Sequence, residues 1–375
     1  MYSLDFYIPK MIRILILLVS VPLACLILII VGLVIISSGK PRPIMDENGN
    51  KPTGSISEKI FIDINGVKQG MFIRGRDTSN PVLLYLHGGM PEYFFTRRYP
   101  TGLENLFTVV WWEQRGSGLS YHTDMSMESI TLEQMIEDTK EITRYLIKRF
   151  GKDKVYLLGH SGGTFIGIQV VKQAPELYHA YLGIAQMSDQ LKSELLAYEY
   201  MLQEYKRMGN QKMVRKLEAA PVSLAVGTPD QYLTLRDGAM HSLGIGTMRK
   251  MKSVITGIFI PSLLFREYTL KEKINLWRAK FRSGVSTLWK TNLATDLSSK
   301  VTQLDIPVYF FHGIYDYTVS YTLAREYFDK IEAPVKGFYK FDQSAHSPMF
   351  EEPGKLINIL EKDVLKGTNL LADKH

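Results

Sequence analysis

The stretch that most constrains this chain is Lys154-Val155-Tyr156-Leu157-Leu158-Gly159-His160-Ser161-Gly162-Gly163-Thr164. An apolar run of strand length leads straight into Gly-His-Ser-Gly-Gly, and helical sequence follows from about Thr164 to Lys172. Strand, sharp turn and helix in immediate succession are the context of a nucleophile elbow, which lifts a serine hydroxyl clear of a sheet. Gly159 and Gly163 remove the Cβ atoms that would obstruct so tight a turn. A helix N-terminus behind Ser161 favours negative charge forming beside it.

The flanking sequence alternates in the same way. Lys59–Ile64 and Val67–Arg74 enclose Asn65-Gly66, a two-residue hairpin signal. Apolar strands are expected at Pro81–Leu86, Phe107–Trp112, Lys154–Leu158, Ala180–Ala185, Ile306–Phe311 and Gly337–Phe341. Helical sequence is expected at Thr131–Phe150, Ser320–Lys330 and Gly354–Leu365. Strands separated by helices predict an α/β fold with a mostly parallel sheet covered on both faces. From about Ser188 to Asn292 the alternation stops and helical texture takes over, which reads as a cap inserted over the site. No internal repeat is visible.

Charge is unevenly spread. The chain carries a formal +7, and residues 190–292 hold 17 Lys and Arg against 8 Asp and Glu. With no nucleic-acid motif and no basic stripe interleaved with aromatics, this does not point to nucleic acid. Within the cap, Glu194, Glu199 and Glu204 are spaced as solvated helix positions. An apolar run from Val254 to Phe265 lies between Lys252 and Arg266. It is too short and, with Pro261, too broken to span a bilayer. It reads either as a lid segment facing the site or as a face held against a membrane surface.

Ile14–Ile36 is 23 residues long and uncharged. As a helix it reaches roughly 34 Å, enough to cross the apolar part of a bilayer. It exceeds the apolar centre of a cleaved signal peptide, although Ser37-Ser38-Gly39 offers small residues for cleavage. Cys25, the one cysteine, falls inside it, so no intrachain disulfide can form. Basic residues on its two sides nearly balance, and the short leading tail favours an extracytoplasmic catalytic domain. The expected organisation is a tail over 1–13, a transmembrane helix over 14–36 and a linker over 37–58. Core segments over 59–188 and 293–375 then enclose a cap over 189–292.

A serine hydroxyl needs a base within hydrogen-bond reach, and the base needs an orienting partner. After an elbow these follow in the order acid, then histidine, each at a strand end. Asp316 follows the strand ending in Phe311-His312-Gly313, and His346 follows the strand ending at Phe341. Asp189, after the strand ending at Ala185, is the alternative acid. His160 is expected to pack under the turn. For a developing oxyanion, the backbone N–H of Gly162 and one from the loop after His87-Gly88, at Gly89, are the expected donors. Glu113-Gln114-Arg115-Gly116-Ser117-Gly118 reads as a buttress at the sheet end.

Taken together, His87-Gly88-Gly89, Trp112-Glu113-Gln114-Arg115-Gly116-Ser117-Gly118, Gly159-His160-Ser161-Gly162-Gly163, Asp316 and His346 resemble the α/β-hydrolase superfamily. The specific resemblance, over about residues 59–365, is to its proline iminopeptidase-like group, peptidase family S33. It implies cleavage of an ester or amide of a small molecule or short peptide through a serine-bound acyl intermediate, under a helical cap, with no metal or organic cofactor. Two features depart from the group. Met90-Pro91-Glu92 stands where Pro-Gly usually follows His-Gly-Gly, and the Glu-Asn-His-Tyr context that holds a substrate amino terminus is missing. Aminopeptidase and carboxylesterase activity stay equally open. A catalytically silent binding protein on this fold and an acyltransferase are the alternatives.

Overall fold

A run of uncharged residues with no polar stripe can satisfy its backbone only as a helix when it is removed from water. The computed structural model describes residues 10–283 and 286–374. In it Lys10–Ile36 is one helix, with Pro22 inside. It begins one turn before the expected Ile14, and residues 1–9 of the expected tail lie outside the described residues. It is the one helix among the described residues that is long and apolar enough to cross a membrane.

Residues 37–58 are mostly irregular, as their Pro, Gly and Ser content requires, but they do not hang free. Ile44 is buried, and Arg74 donates to the Arg42 carbonyl at 2.7 Å. The sheet starts at Ile56.

Eight strands follow: β1 Ile56–Ile64, β2 Val67–Gly75, β3 Val82–Leu86, β4 Thr108–Glu113, β5 Val155–His160, β6 Tyr178–Ile184, β7 Val308–Gly313 and β8 Lys336–Phe341. Their order across the sheet is β1-β2-β4-β3-β5-β6-β7-β8. The Asn65-Gly66 hairpin makes β1 and β2 antiparallel, β2 also runs antiparallel to β4, and the remaining pairs are parallel. Alternation along each strand divides the core. Leu84, Leu157 and Phe310 face the helices Leu132–Phe150, Gly162–Gln173 and Tyr321–Lys330. Their neighbours Leu83, Leu158 and Phe311 pack on the other face, against Leu356 and Leu360.

The cap leaves the sheet after β6 and returns before β7. Its helices Gln190–Arg207, Gln211–Glu218 and Asp230–Leu243 bury a core of their own around Met201, Tyr205, Leu217 and Tyr232. Val254–Leu264 then forms a helix with a π turn over Ile255–Phe259, just before Pro261. Proline removes one helical hydrogen bond and clashes with the carbonyl four residues back, and a wider turn relieves both. The helix Leu270–Ser283 runs back over the sheet end.

Candidate active site

β5 lies between β3 and β6, so its carboxyl end opens at the middle of the sheet. Ser161 follows directly with φ 55° and ψ −123°, a left-handed conformation that is costly for a residue with a Cβ. The surrounding backbone imposes it. The Ser161 N–H donates to Ile184 O at 3.0 Å, and Ser161 O accepts from Thr164 N at 2.8 Å. A Cβ on Gly163 would lie 2.1 Å from Leu86 O, and one on Gly159 would lie 2.8 Å from Gly163 O. Both glycines are therefore fixed by close approach. Gly162 is the first residue of the helix Gly162–Gln173, so its N–H has no carbonyl inside the helix to bond.

Asp316 and His346 come from the loops after β7 and β8. His346 Nδ1 is 2.8 Å from Asp316 Oδ2. The other carboxylate oxygen accepts the backbone N–H groups of Thr318 and Val319, each at 2.9 Å. Burial raises the Asp316 pKa, but His346 and His312 outweigh it and hold the carboxyl far below the usual range. Burial lowers the pKa of His346 despite Asp316, so the imidazole is neutral at neutral pH. Asp189 is occupied elsewhere. It caps the helix Gln190–Arg207 through Lys192 N and pairs with the Lys192 amine at 2.8 Å.

Three further groups hold this arrangement: Glu92 and His312, which carry no local sequence signature, and His160, which is buried beside the turn as expected. Glu92 binds His160 Nδ1 at 2.9 Å and also accepts from the Tyr85 hydroxyl. Nε2 of the buried His160 in turn donates to the His346 carbonyl at 2.9 Å. Burial works against both charged forms, yet each partner stabilises the other, so the Glu92 pKa falls and the His160 pKa rises. The third group is His312, whose Nε2 lies 3.2 Å from Asp316 Oδ2.

The loop after β3 closes over the elbow. Gln114 N donates to His87 Nε2 at 3.2 Å, which leaves His87 Nδ1 to donate to the Gly88 carbonyl at 2.9 Å. Burial pushes the His87 pKa down to about 4, consistent with this neutral tautomer. A Cβ on Gly88 would sit 2.7 Å from Ser161 Cβ and 3.1 Å from Ser161 Oγ. Gly88 therefore lies directly against the serine. Gly89 follows beneath the cap, with Lys280 Nζ 3.2 Å from where its Cβ would be.

The loop after β4 braces the same sheet end. Arg115 clasps Asp138 at 2.6 and 2.8 Å, and Glu113 accepts from Leu119 N at 2.6 Å and from the cap hydroxyl of Tyr268. Burial pushes the Glu113 carboxyl up to about 8.

One expectation fails in the cap. Glu194 is not solvated: it is 1% exposed, and it accepts a bidentate pair from Arg236 at 2.6 and 2.7 Å and a bond from Tyr232. Helical spacing cannot distinguish an outward carboxylate from one whose partner arrives from another helix. Glu199 is exposed, and Glu204 pairs with Arg207.

The chain is similar to known proteins along most of its length. It is 32% identical over 315 residues to a probable aminopeptidase of Bacillus subtilis (strain 168), covering 82% of this chain and 96% of that one. The family model for serine aminopeptidase, S33, matches residues 82–243. The chain belongs to the S33 group of α/β-hydrolases. Among solved structures, this S33 chain resembles a proline iminopeptidase from Mycobacterium smegmatis at 13% identity and a TM-score of 0.57, covering 82% of this chain and 98% of that one. It also resembles a membrane phospholipase A at 15% identity and a TM-score of 0.54, covering 94% and 93%. At these identities the likeness is one of fold. The protein is thus a hydrolase of the aminopeptidase or esterase type.

Proposed function

We propose that this protein is a membrane-anchored serine hydrolase in which Ser161 is the nucleophile, His346 the base and Asp316 its orienting partner. The observation that carries the reading is the Asp316–His346 hydrogen bond, with His346 tied through its carbonyl to the residue preceding Ser161. In the first step Ser161 Oγ attacks the carbonyl carbon of an ester or amide while His346 Nε2 takes its proton. Asp316 accepts from Nδ1 throughout, fixing the tautomer and stabilising the imidazolium. The oxyanion is met by the N–H of Gly162, with Gly89 as the second donor. His346 then protonates the leaving alcohol or amine, and the acyl group stays on Ser161. Water, deprotonated by His346, attacks the acyl-serine, the bond from carbon to Ser161 Oγ breaks, and His346 returns the proton to Oγ as the acid leaves.

The B. subtilis relative is named an aminopeptidase, which makes aminoacyl amides the first substrates to test, beside fatty-acyl esters. The anchor is supported by the length of Ile14–Ile36 and by the exposure of all its side chains but Leu33 and Ile36 to surroundings that would otherwise be water. The test is fluorophosphonate labelling of the full chain, followed by chromogenic aminoacyl and fatty-acyl substrates. One labelled site, lost in Ser161→Ala together with turnover, is expected. Labelling that persists in Ser161→Ala would remove Ser161 from the mechanism.

A further inference from the structure

Of the fourteen large apolar side chains exposed outside the N-terminal helix among the described residues, six lie on two neighbouring helices of the cap. Ile255 is 63% exposed and Leu264 55%, with Phe259 and Ile260 on the same helix also open. Beside them runs the helix Leu270–Ser283, whose outward residues are Lys271, Ile274, Arg278 and Phe281. Their spacing of three, four and three residues places them on one face. Phe281 is 79% exposed. Trp277 joins the two helices: its ring meets Phe259 at 4.9 Å and Phe281 at 5.9 Å, and its N–H donates to Ser262 at 2.9 Å. Arg266, Lys271 and Arg278 are exposed on or next to these helices, and none makes an ion pair among the described residues.

The position of this ridge is set by the anchor helix. At its end Ser38 Oγ and Gly39 N both donate to Arg266 O, at 3.0 and 3.1 Å, and Lys273 Nζ donates to Ser37 Oγ at 2.7 Å. Gly39 has φ +69°, and a Cβ there would lie 2.6 Å from Thr269 Cγ2, so the chain turns sharply against the cap. The last turns of the anchor touch Ile260–Leu264, and there Leu33 and Ile36 become half-buried. An apolar span that ends at Ile36 ends where the hydrocarbon ends. The ridge begins at that depth, with cations at its edge.

We propose that this cap ridge is a bilayer-docking surface, inserting Ile255, Leu264 and Phe281 among acyl chains while its lysines and arginines meet anionic phospholipid headgroups. The inference rests on the reading of Lys10–Ile36 as a membrane anchor and adds a second contact to it. Apolar side chains carried on cationic helices bind such interfaces by burying surface and attracting anionic lipid together. The bilayer is preferred to a second copy of the chain because the ridge is continuous with the anchor and cationic, so two copies would repel. The helix Leu270–Ser283 also carries Lys280, which overlies Gly89. Docking therefore holds the Ser161 loop one helix away from the lipid, where amphipathic acyl substrates are dissolved.

The test uses the full chain reconstituted in vesicles of phosphatidylglycerol and phosphatidylcholine, with and without bromine on the acyl chains. Bromine quenches a tryptophan that lies near it, and Trp277→Phe identifies the part of the emission that belongs to the ridge. Quenching of Trp277 is expected, weaker as phosphatidylglycerol is withdrawn and lost in the triple variant Ile255→Ser, Leu264→Ser, Phe281→Ser. Sedimentation through alkaline carbonate reads the anchor separately. Protein that sediments but shows no Trp277 quenching overturns the docking surface and leaves the anchor standing. Protein that fails to sediment overturns both. Emission that follows protein density instead of bromination assigns the ridge to a second copy and also overturns the proposal.

Discussion

Replacing Asp316 with Asn changes one atom, and the surroundings determine which one. Oδ1 accepts two backbone N–H groups, from Thr318 and Val319, so the asparagine must keep its oxygen there. Its NH2 then takes the place of Oδ2, facing His346 Nδ1 at 2.8 Å and His312 Nε2 at 3.2 Å. A donor at that position selects the imidazole tautomer with hydrogen on Nε2, which cannot accept the Ser161 proton. This wrong-tautomer effect costs about 10⁴ in rate in serine proteases, equivalent to about 5.4 kcal/mol of transition-state stabilisation. Steady-state kinetics on the best chromogenic substrate, with thermal unfolding as the folding control, measure it. Asp189→Asn, which can keep the helix cap and loses only the ion pair with Lys192, should leave the chemical step near wild type. A folded Asp316→Asn enzyme within tenfold of wild type, or a larger loss in Asp189→Asn, would refute the argument.

Other consequences are open to measurement. Because burial lowers the His346 pKa, the acidic limb of kcat/KM against pH should have its midpoint below 6.5, the ordinary value for histidine; a midpoint above it would mean that another group governs the limb. Gly88→Ala drives a methyl to 2.7 Å from Ser161 Cβ; we expect kcat to fall by about 10² from misplacement of the nucleophile alone, with fluorophosphonate labelling slowed in parallel. Glu92→Ala strands His160 and the Tyr85 hydroxyl, and loss of one partner from a buried pair costs about 3–5 kcal/mol, read by denaturant unfolding. The raised His160 pKa and lowered Glu92 pKa give a sign to the pH dependence. Their stabilisation is full between 4.5 and 6.5, fades as pH falls through the Glu92 pKa, and fades as pH rises through that of His160. The gap between wild type and Glu92→Gln should therefore narrow at alkaline pH.

The parts legible in the sequence are those with a period or a fixed neighbour. Buried strands read as apolar runs, Asn65-Gly66 marked its hairpin, and the sheet came out mostly parallel. The positions of Ser161, Asp316 and His346 at strand ends were legible for the same reason. What stayed hidden were side chains whose meaning depends on a partner far along the chain. Glu92 reads as a loop carboxylate until His160, 68 residues away, meets it. Glu194 reads as surface until Arg236 does, 42 residues later. The helix Val254–Leu264 was legible as apolar, but its contact with the end of the N-terminal helix was not.

That junction also bears on the order in which the molecule is made. The Ser38–Arg266 and Ser37–Lys273 bonds link residues 228 and 236 positions apart. During synthesis the N-terminal helix is finished while nearly all of the domain is still unmade, and domains begin to fold as they emerge. Contacts of such long sequence separation form late. Until then the growing domain is joined to the completed helix only through residues 37–58, which the Arg74–Arg42 bond ties to β2. Only when Arg266 and Lys273 have emerged is the domain locked to the helix, so its bearing on that helix is among the last features of the native state to be fixed.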